Sequence, residues 1–241
     1  MAKLEAWGTT DAGLVRQNNE DNWLVDDGLS VAIVADGMGG AACGEIASAL
    51  TIEGVTSYLR DPLEVLAPEL LIKEAIREAN RRVLERAVRE SNCDGMGSTV
   101  VVAHWSLPRL VIANVGDSRA YLWRGGQLIQ LSYDQTLANE LRTTLGLSEQ
   151  EVQNYAHKNV LTMAVGSTAD VLIRTRDETI AVGDVILLCS DGLYGPVGDE
   201  RLAEVLSPGA SLQETVERLV ESAKTAGSED NITAVLLRFV D

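Results

Sequence analysis

Four aspartates in this 241-residue chain share one local setting, at the end of an apolar run and beside a turn. Val31-Ala32-Ile33-Val34-Ala35 leads into Asp36-Gly37-Met38-Gly39-Gly40, and Val185–Cys189 leads through Ser190 into Asp191-Gly192. Leu110–Val115 leads through Gly116 into Asp117-Ser118, and Asp230-Asn231 directly precedes Ile232–Phe239. One Asp-Gly of this kind makes a turn, because the carboxylate caps its own backbone and glycine accepts positive φ. Several carboxylates gathered at strand ends would repel one another and raise each other's pKa. A divalent cation relieves that conflict, and oxygen-only ligation suits hard ions such as Mg²⁺ or Mn²⁺. Without a side chain at Gly37, its backbone carbonyl can approach an ion closely. Two ions bridged by one carboxylate activate a water for attack on phosphorus and neutralise the phosphoryl oxygens. The chain carries no GxSxG elbow, no P-loop lysine motif and no kinase motif set, so a metal-activated water needs no competing nucleophile.

Alternating or apolar β-type runs supply the scaffold: Leu4–Thr10, Asn22–Val25, Ser30–Ala35, Ser98–Trp105, Leu110–Val115, Ala120–Trp123, Gln127–Leu131, Val171–Arg176, Val185–Cys189 and Ile232–Phe239. Hairpin signals at Gly125-Gly126 and Leu107-Pro108 predict antiparallel pairing, since a parallel crossover needs a dozen or more residues. Helical periodicity marks Glu69–Glu90, with Ile72, Ile76, Ala79, Val83 and Ala87 on one face, and Ser211–Ala226, where Ser211 and Glu214 suit a capping box. A further helix is expected over 44–58. These elements predict an α+β fold in which two antiparallel sheets form a central sandwich flanked by helices on both sides. No linker or repeat interrupts the chain, so 1–241 reads as a single domain, with a polar flap at roughly 134–160.

The composition is 46% hydrophobic and 23% charged, which excludes a disordered chain. A formal charge of −16 opposes nucleic-acid binding. Cys43, Cys93 and Cys189 are widely spaced and odd in number, which predicts buried free thiols in a reducing cytoplasm. No apolar stretch is long enough to span a bilayer, and the N-terminus lacks a signal-peptide core. The expectation is a cytoplasmic monomer that binds neither membrane nor nucleic acid.

Seven blocks in order resemble the metal-dependent serine/threonine protein phosphatases of the protein phosphatase 2C (PPM) type, in their short bacterial form. They are Thr10–Asp21, Asp36–Gly40 with Gly44-Glu45, Met96–Thr99, Gly116–Tyr121, Leu161-Thr162 with Val165-Gly166, Ser190–Leu193 and Ser228–Thr233. The resemblance implies hydrolysis of phosphoserine and phosphothreonine in proteins by a water or hydroxide bridging two Mg²⁺ or Mn²⁺ ions. It implies that Asp36 bridges the ions and the Gly37 carbonyl binds the first. Asp191 and Asp230 would hold the second, and Glu20 and Asp21 would orient bound waters. Asp117 would take a weaker third ion, Arg16 the substrate phosphate, and Asn231 would support the ligands from behind.

The match departs where relatives often carry histidine: Met38, Ala41 and Gln135 stand there, leaving only His104 and His157 in the chain. The leaving group therefore lacks an obvious proton donor; His104 is expected to be structural. Gly195 replaces a common acidic residue and Met163 a common arginine. Two other readings are weighed against the protein phosphatase: a phosphatase of small phosphate esters, and a pseudophosphatase module that binds phosphoproteins.

Overall fold

The computed structural model describes residues 3–39, 43–148, 151–152, 155, 159–207 and 209–240. Strands β1 (Lys3–Asp11), β7 (Arg119–Arg124), β8 (Gln127–Gln130), β10 (Val185–Cys189) and β11 (Ile232–Val240) form one sheet in the order β1-β11-β10-β7-β8. The other has the order β2-β3-β5-β6-β9: Asp21–Asp26, Val31–Met38, Val100–Ser106, Arg109–Val115 and Arg174–Thr179. A two-residue β4, Gly97–Ser98, pairs with the end of β3. Every pairing is antiparallel.

Strand alternation sorts the core into layers. Ala32 and Val34 of β3 meet Ile186, Leu188, Val235 and Leu237 of the opposite sheet inside the sandwich. The intervening Val31, Ile33 and Ala35 face outward onto helices α1 (Cys43–Arg60) and α2 (Pro68–Arg89). On the far side, Leu187, Cys189, Ala234 and Leu236 pack against α4 (Asp191–Val197), α5 (Asp199–Val205) and α6 (Leu212–Thr225). These apolar runs are hydrophobic throughout because each strand is covered on both faces. The expected α+β sandwich, helices on both sides, is what forms.

The Ser211–Glu214 capping box at the start of α6 is present in both directions. Within the predicted flap, α3 (Leu137–Leu145) starts at Thr136, whose hydroxyl caps Asn139, and stops at Gly146 with φ 67°. The β9 strand begins three residues later than predicted. Val171 and Ile173 instead pack against the α1–α2 layer, and pairing with β6 starts at Arg174 opposite Asn114.

Two expectations need correction. The α4 and α5 helices were unanticipated, because Gly192, Gly195 and Pro196 read as turn rather than helix and α5 is only seven residues long. The cysteines are not all free thiols: Cys43 and Cys93 are joined in a disulfide, and only Cys189 is free and buried. Spacing hid this bond. The α1–α2 hairpin carries the chain out and back, so residues 50 apart in sequence have Cα atoms 5.5 Å apart.

Candidate metal centre

Register delivers the carboxylates to one end of the sandwich. In the β2–β3 pair, Asp21 lies directly opposite Asp36. Like charges facing each other across a ladder are unfavourable and need compensation. The other sheet contributes at the same end: Cys189 pairs with both Arg119 and Ala234, so Asp191, Asp117 and Asp230 each lie a few residues past a paired position. Asp117 sits on the crossover Gly116-Asp117-Ser118 that takes the chain from β6 in one sheet to β7 in the other. A pocket of about 340 Å³ is lined by Arg16, Glu20, Asp36, Gly37, Asp117, Asp191, Asp230 and Asn231, together with Met38, Thr99, Asn159 and Leu161. The first eight are site residues expected from the sequence; the ninth, Asp21, is buried and does not line the pocket.

Neutral donors fix this charged set. Asp21 Oδ2 accepts hydrogen bonds from Ser190 Oγ and Thr233 Oγ1, both at 2.6 Å, which ties the two sheets together. Thr233 N–H in turn donates to Ser190 Oγ at 3.1 Å. Asn231 accepts from Glu20 N–H at 2.8 Å and donates to the Ala12 and Asn18 carbonyls, anchoring the loop that carries Arg16. The Asp36 N–H donates to Thr99 Oγ1, and its carbonyl accepts from Thr99 N–H and Ser98 Oγ. Gly37 allows the closest approach: a Cβ there would lie 1.9 Å from the Gly44 carbonyl oxygen at the start of α1. Arg16 Nη2 donates to Asp230 Oδ2 at 2.9 Å.

Burial, then mutual repulsion, governs the electrostatics. Burial raises Asp36 well above the usual carboxylate range, and Asp21, Asp191, Asp117 and Asp230 raise it further. Asp117 is pushed up to about 7 by burial and by Asp191 and Asp134, with Arg119 opposing. Asp21 reaches about 6, burial outweighing its two hydroxyl donors. Asp191 is raised by burial and by Asp230, and Glu20 mainly by burial.

This donor set fits divalent ions. It is all oxygen, it is strained by like charge, and Asp21 Oδ1 is buried without a hydrogen-bond partner. Among the described residues no three Asp, Glu, His or Cys side chains stand close enough to enclose one ion by themselves. An ion held by Asp36, Asp191 and Asp230 together would therefore require those side chains to draw in around it.

The departures also find places. Gln135 is buried, accepting from Gly116 N–H at 2.7 Å and donating to the Leu172 carbonyl at 2.8 Å, so it props the Asp117 crossover. Met163 packs against the α1–α2 core. His104, opposite Val31, belongs to the far end of β5, in keeping with a structural role. A Cβ at Gly195 would meet nothing within 4 Å. Ala41 and His157 lie outside the described residues. Ser190, Thr233 and Thr99 carry no role legible in the sequence, although all three fall inside the matching blocks.

The family model described as protein phosphatase 2C matches residues 11–237. A serine/threonine phosphatase stp from Listeria welshimeri is 36% identical over 234 residues, covering 95% of this chain and 93% of its own. The chain belongs to the protein phosphatase 2C family. The serine/threonine protein phosphatase PstP of Mycobacterium tuberculosis is 35% identical over 96% of this chain, which spans 44% of that longer protein. The crystal structure of the M. tuberculosis phosphatase PstP/Ppp superposes with a TM-score of 0.89 at 32% identity, covering 99% of each chain. A PstP catalytic domain in complex with two manganese ions gives 0.87 at 33% identity and full coverage of both chains. The centre of this protein phosphatase 2C is accordingly one for Mg²⁺ or Mn²⁺, and the chain is a metal-dependent phosphatase.

Proposed function

We propose that this phosphatase hydrolyses phosphoserine and phosphothreonine in proteins, with Asp36 as the ligand shared between two ions. Asp36 lies opposite Asp21 across the β2–β3 ladder and lines one pocket with Asp117, Asp191 and Asp230, and that gathering of carboxylates carries the reading. The Gly37 carbonyl would serve the first ion, and Asp191 and Asp230 the second. Glu20 and Asp21 would orient waters, while Asp117 would offer a further cation position. When bound, the ions supply an activated water and neutralise phosphoryl charge. Arg16 presents a planar guanidinium fork to the phosphate from the pocket rim, held there through its contact with Asp230. Asn231 fixes the backbone at Glu20 and the Arg16 loop.

Residues 1–241 act as one catalytic domain with a flap at 134–160, working as a monomer on phosphoproteins, without nucleic acid or membrane. A cytoplasmic location follows from the substrates, which kinases make where ATP is available; the Cys43–Cys93 bridge withdraws the thiol argument for it. Among the described residues no helix is long and apolar enough to cross a membrane.

The test is turnover of a phosphothreonine peptide and of an aryl phosphate with Mn²⁺ or Mg²⁺. Both should proceed, stop with EDTA, and fall at least about 10³-fold in Asp36→Ala. Cleavage of the aryl phosphate alone would favour small-ester substrates, and no turnover with either metal would favour a phosphoprotein-binding module.

A further inference from the structure

A second cleft, about 810 Å³, opens from the metal pocket and shares Arg16, Asp117, Asn159, Asp191 and Asp230 with it. A phosphate group needs only a small part of such a volume, so the cleft has room for what flanks the phosphorylated residue. Its lining comes from α3, from Tyr194-Gly195-Pro196 of α4, and from the loop Gly227–Asp230. On α3, Ala138 and Arg142 are four residues apart and therefore share the helix face that lines the cleft.

Most charges in this cleft are engaged. Arg16 contacts Asp230. Arg119 forks onto Asp134 at 2.7 Å and lies 3.7 Å above the Tyr194 ring. Asp117, Asp191 and Asp230 belong to the ion set. Two exposed charges remain, Arg142 on α3 and Glu229 on the 227–230 loop. Arg142 forms no ion pair with any described residue, and it stands on a protein of formal charge −16 that otherwise repels anions.

We propose that Arg142 determines substrate specificity by reading a second anionic group, a carboxylate side chain or another phosphate, carried beside the phosphoresidue. The proposal rests on the protein-phosphatase reading and deepens it. Glu229, on a different part of the lining, disfavours an acid there, so the preference applies to the flank that runs along α3. Arg142 lines this cleft and is not among the residues lining the metal pocket.

Phosphothreonine peptides that differ only in their flanks, neutral, acidic or carrying a second phosphate, test this, with an aryl phosphate as the unflanked control. The wild type should favour both anionic flanks. Arg142→Ala should lose about three- to fivefold in kcat/KM on those peptides, mostly through KM, and nothing on the neutral peptide or the aryl ester. Arg142→Glu should invert the ranking, Arg142→Lys should keep it, and added salt should shrink the wild-type preference. A gain confined to the doubly phosphorylated peptide identifies phosphate as the group read; gains on both identify charge. A ranking unmoved by Arg142→Glu, or an equal loss on every substrate, overturns the assignment while leaving the phosphatase reading intact. Aryl phosphate turnover without any peptide turnover overturns both.

Discussion

Asp21 Oδ2 holds two hydroxyl donors at 2.6 Å, and both reach it from the opposite sheet. Removing one leaves a buried carboxylate with less to offset its desolvation. Thr233→Val keeps the shape and deletes the donor. The Mn²⁺ concentration for half-maximal activity should rise about tenfold, with Thr233→Ser restoring it. An unchanged metal dependence would show that Thr233 is only packing. The carboxylates were legible in the sequence because a charged residue at the end of an apolar run is conspicuous. Their supports were not. A serine or threonine in a strand looks the same whether its hydroxyl meets water or a buried carboxylate, and only the β10–β11 register brings Ser190 and Thr233 together beneath Asp21. The same holds for Gln135, whose side chain bridges Gly116 and Leu172 through partners that no spacing rule connects.

Among the elements, periodic helices and apolar strands were read from sequence, and the two short helices that follow β10 were not. The α2 and α6 helices and strand β10 fall within a residue of their predicted bounds, because their apolar faces repeat over several turns or fill a continuous run. The seven-residue α4 and α5 each have too few residues to show a period. The Cys43–Cys93 bond is a further case, since it depends on how the α1–α2 hairpin closes rather than on cysteine spacing. It also fastens the start of α1, which packs on Gly37, to the turn that leads into β4. A Cys43→Ser/Cys93→Ser variant should lose about 2–4 kcal/mol in urea unfolding, and reduced wild type should match it. Equal urea midpoints for oxidised wild type and the variant would rule out that contribution.

For the whole molecule, the centre couples folding to metal and pH. Asp21 near 6 and Asp117 near 7 bind protons in the folded, metal-free chain that an unfolded aspartate has released. Between about pH 4 and pH 7 the folded state therefore holds more protons than the unfolded one, so stability falls as pH rises through that window. In EDTA the melting temperature should drop from pH 5 to pH 8 by roughly 5–10 °C. Mn²⁺ should raise it, and by more at pH 8 than at pH 5, because ions replace the missing protons. A metal-free melting temperature that is flat or rising over that range would contradict this coupling.

All of that chemistry crowds one end of the sandwich, and the strand registers leave the other end without assigned duties. The connections there are residues 27–30, the Leu107-Pro108 turn, Gly125-Gly126 and residues 180–184. Each joins strands whose opposite ends approach the metal pocket, so its length can change without moving a ligand. The molecule thus has a working end and a handle. A fluorophore, a surface tether or a fused binding module belongs at an exposed side chain of that end such as Val182, rather than at Gly125-Gly126, where φ of 58° and 87° would strain any added side chain.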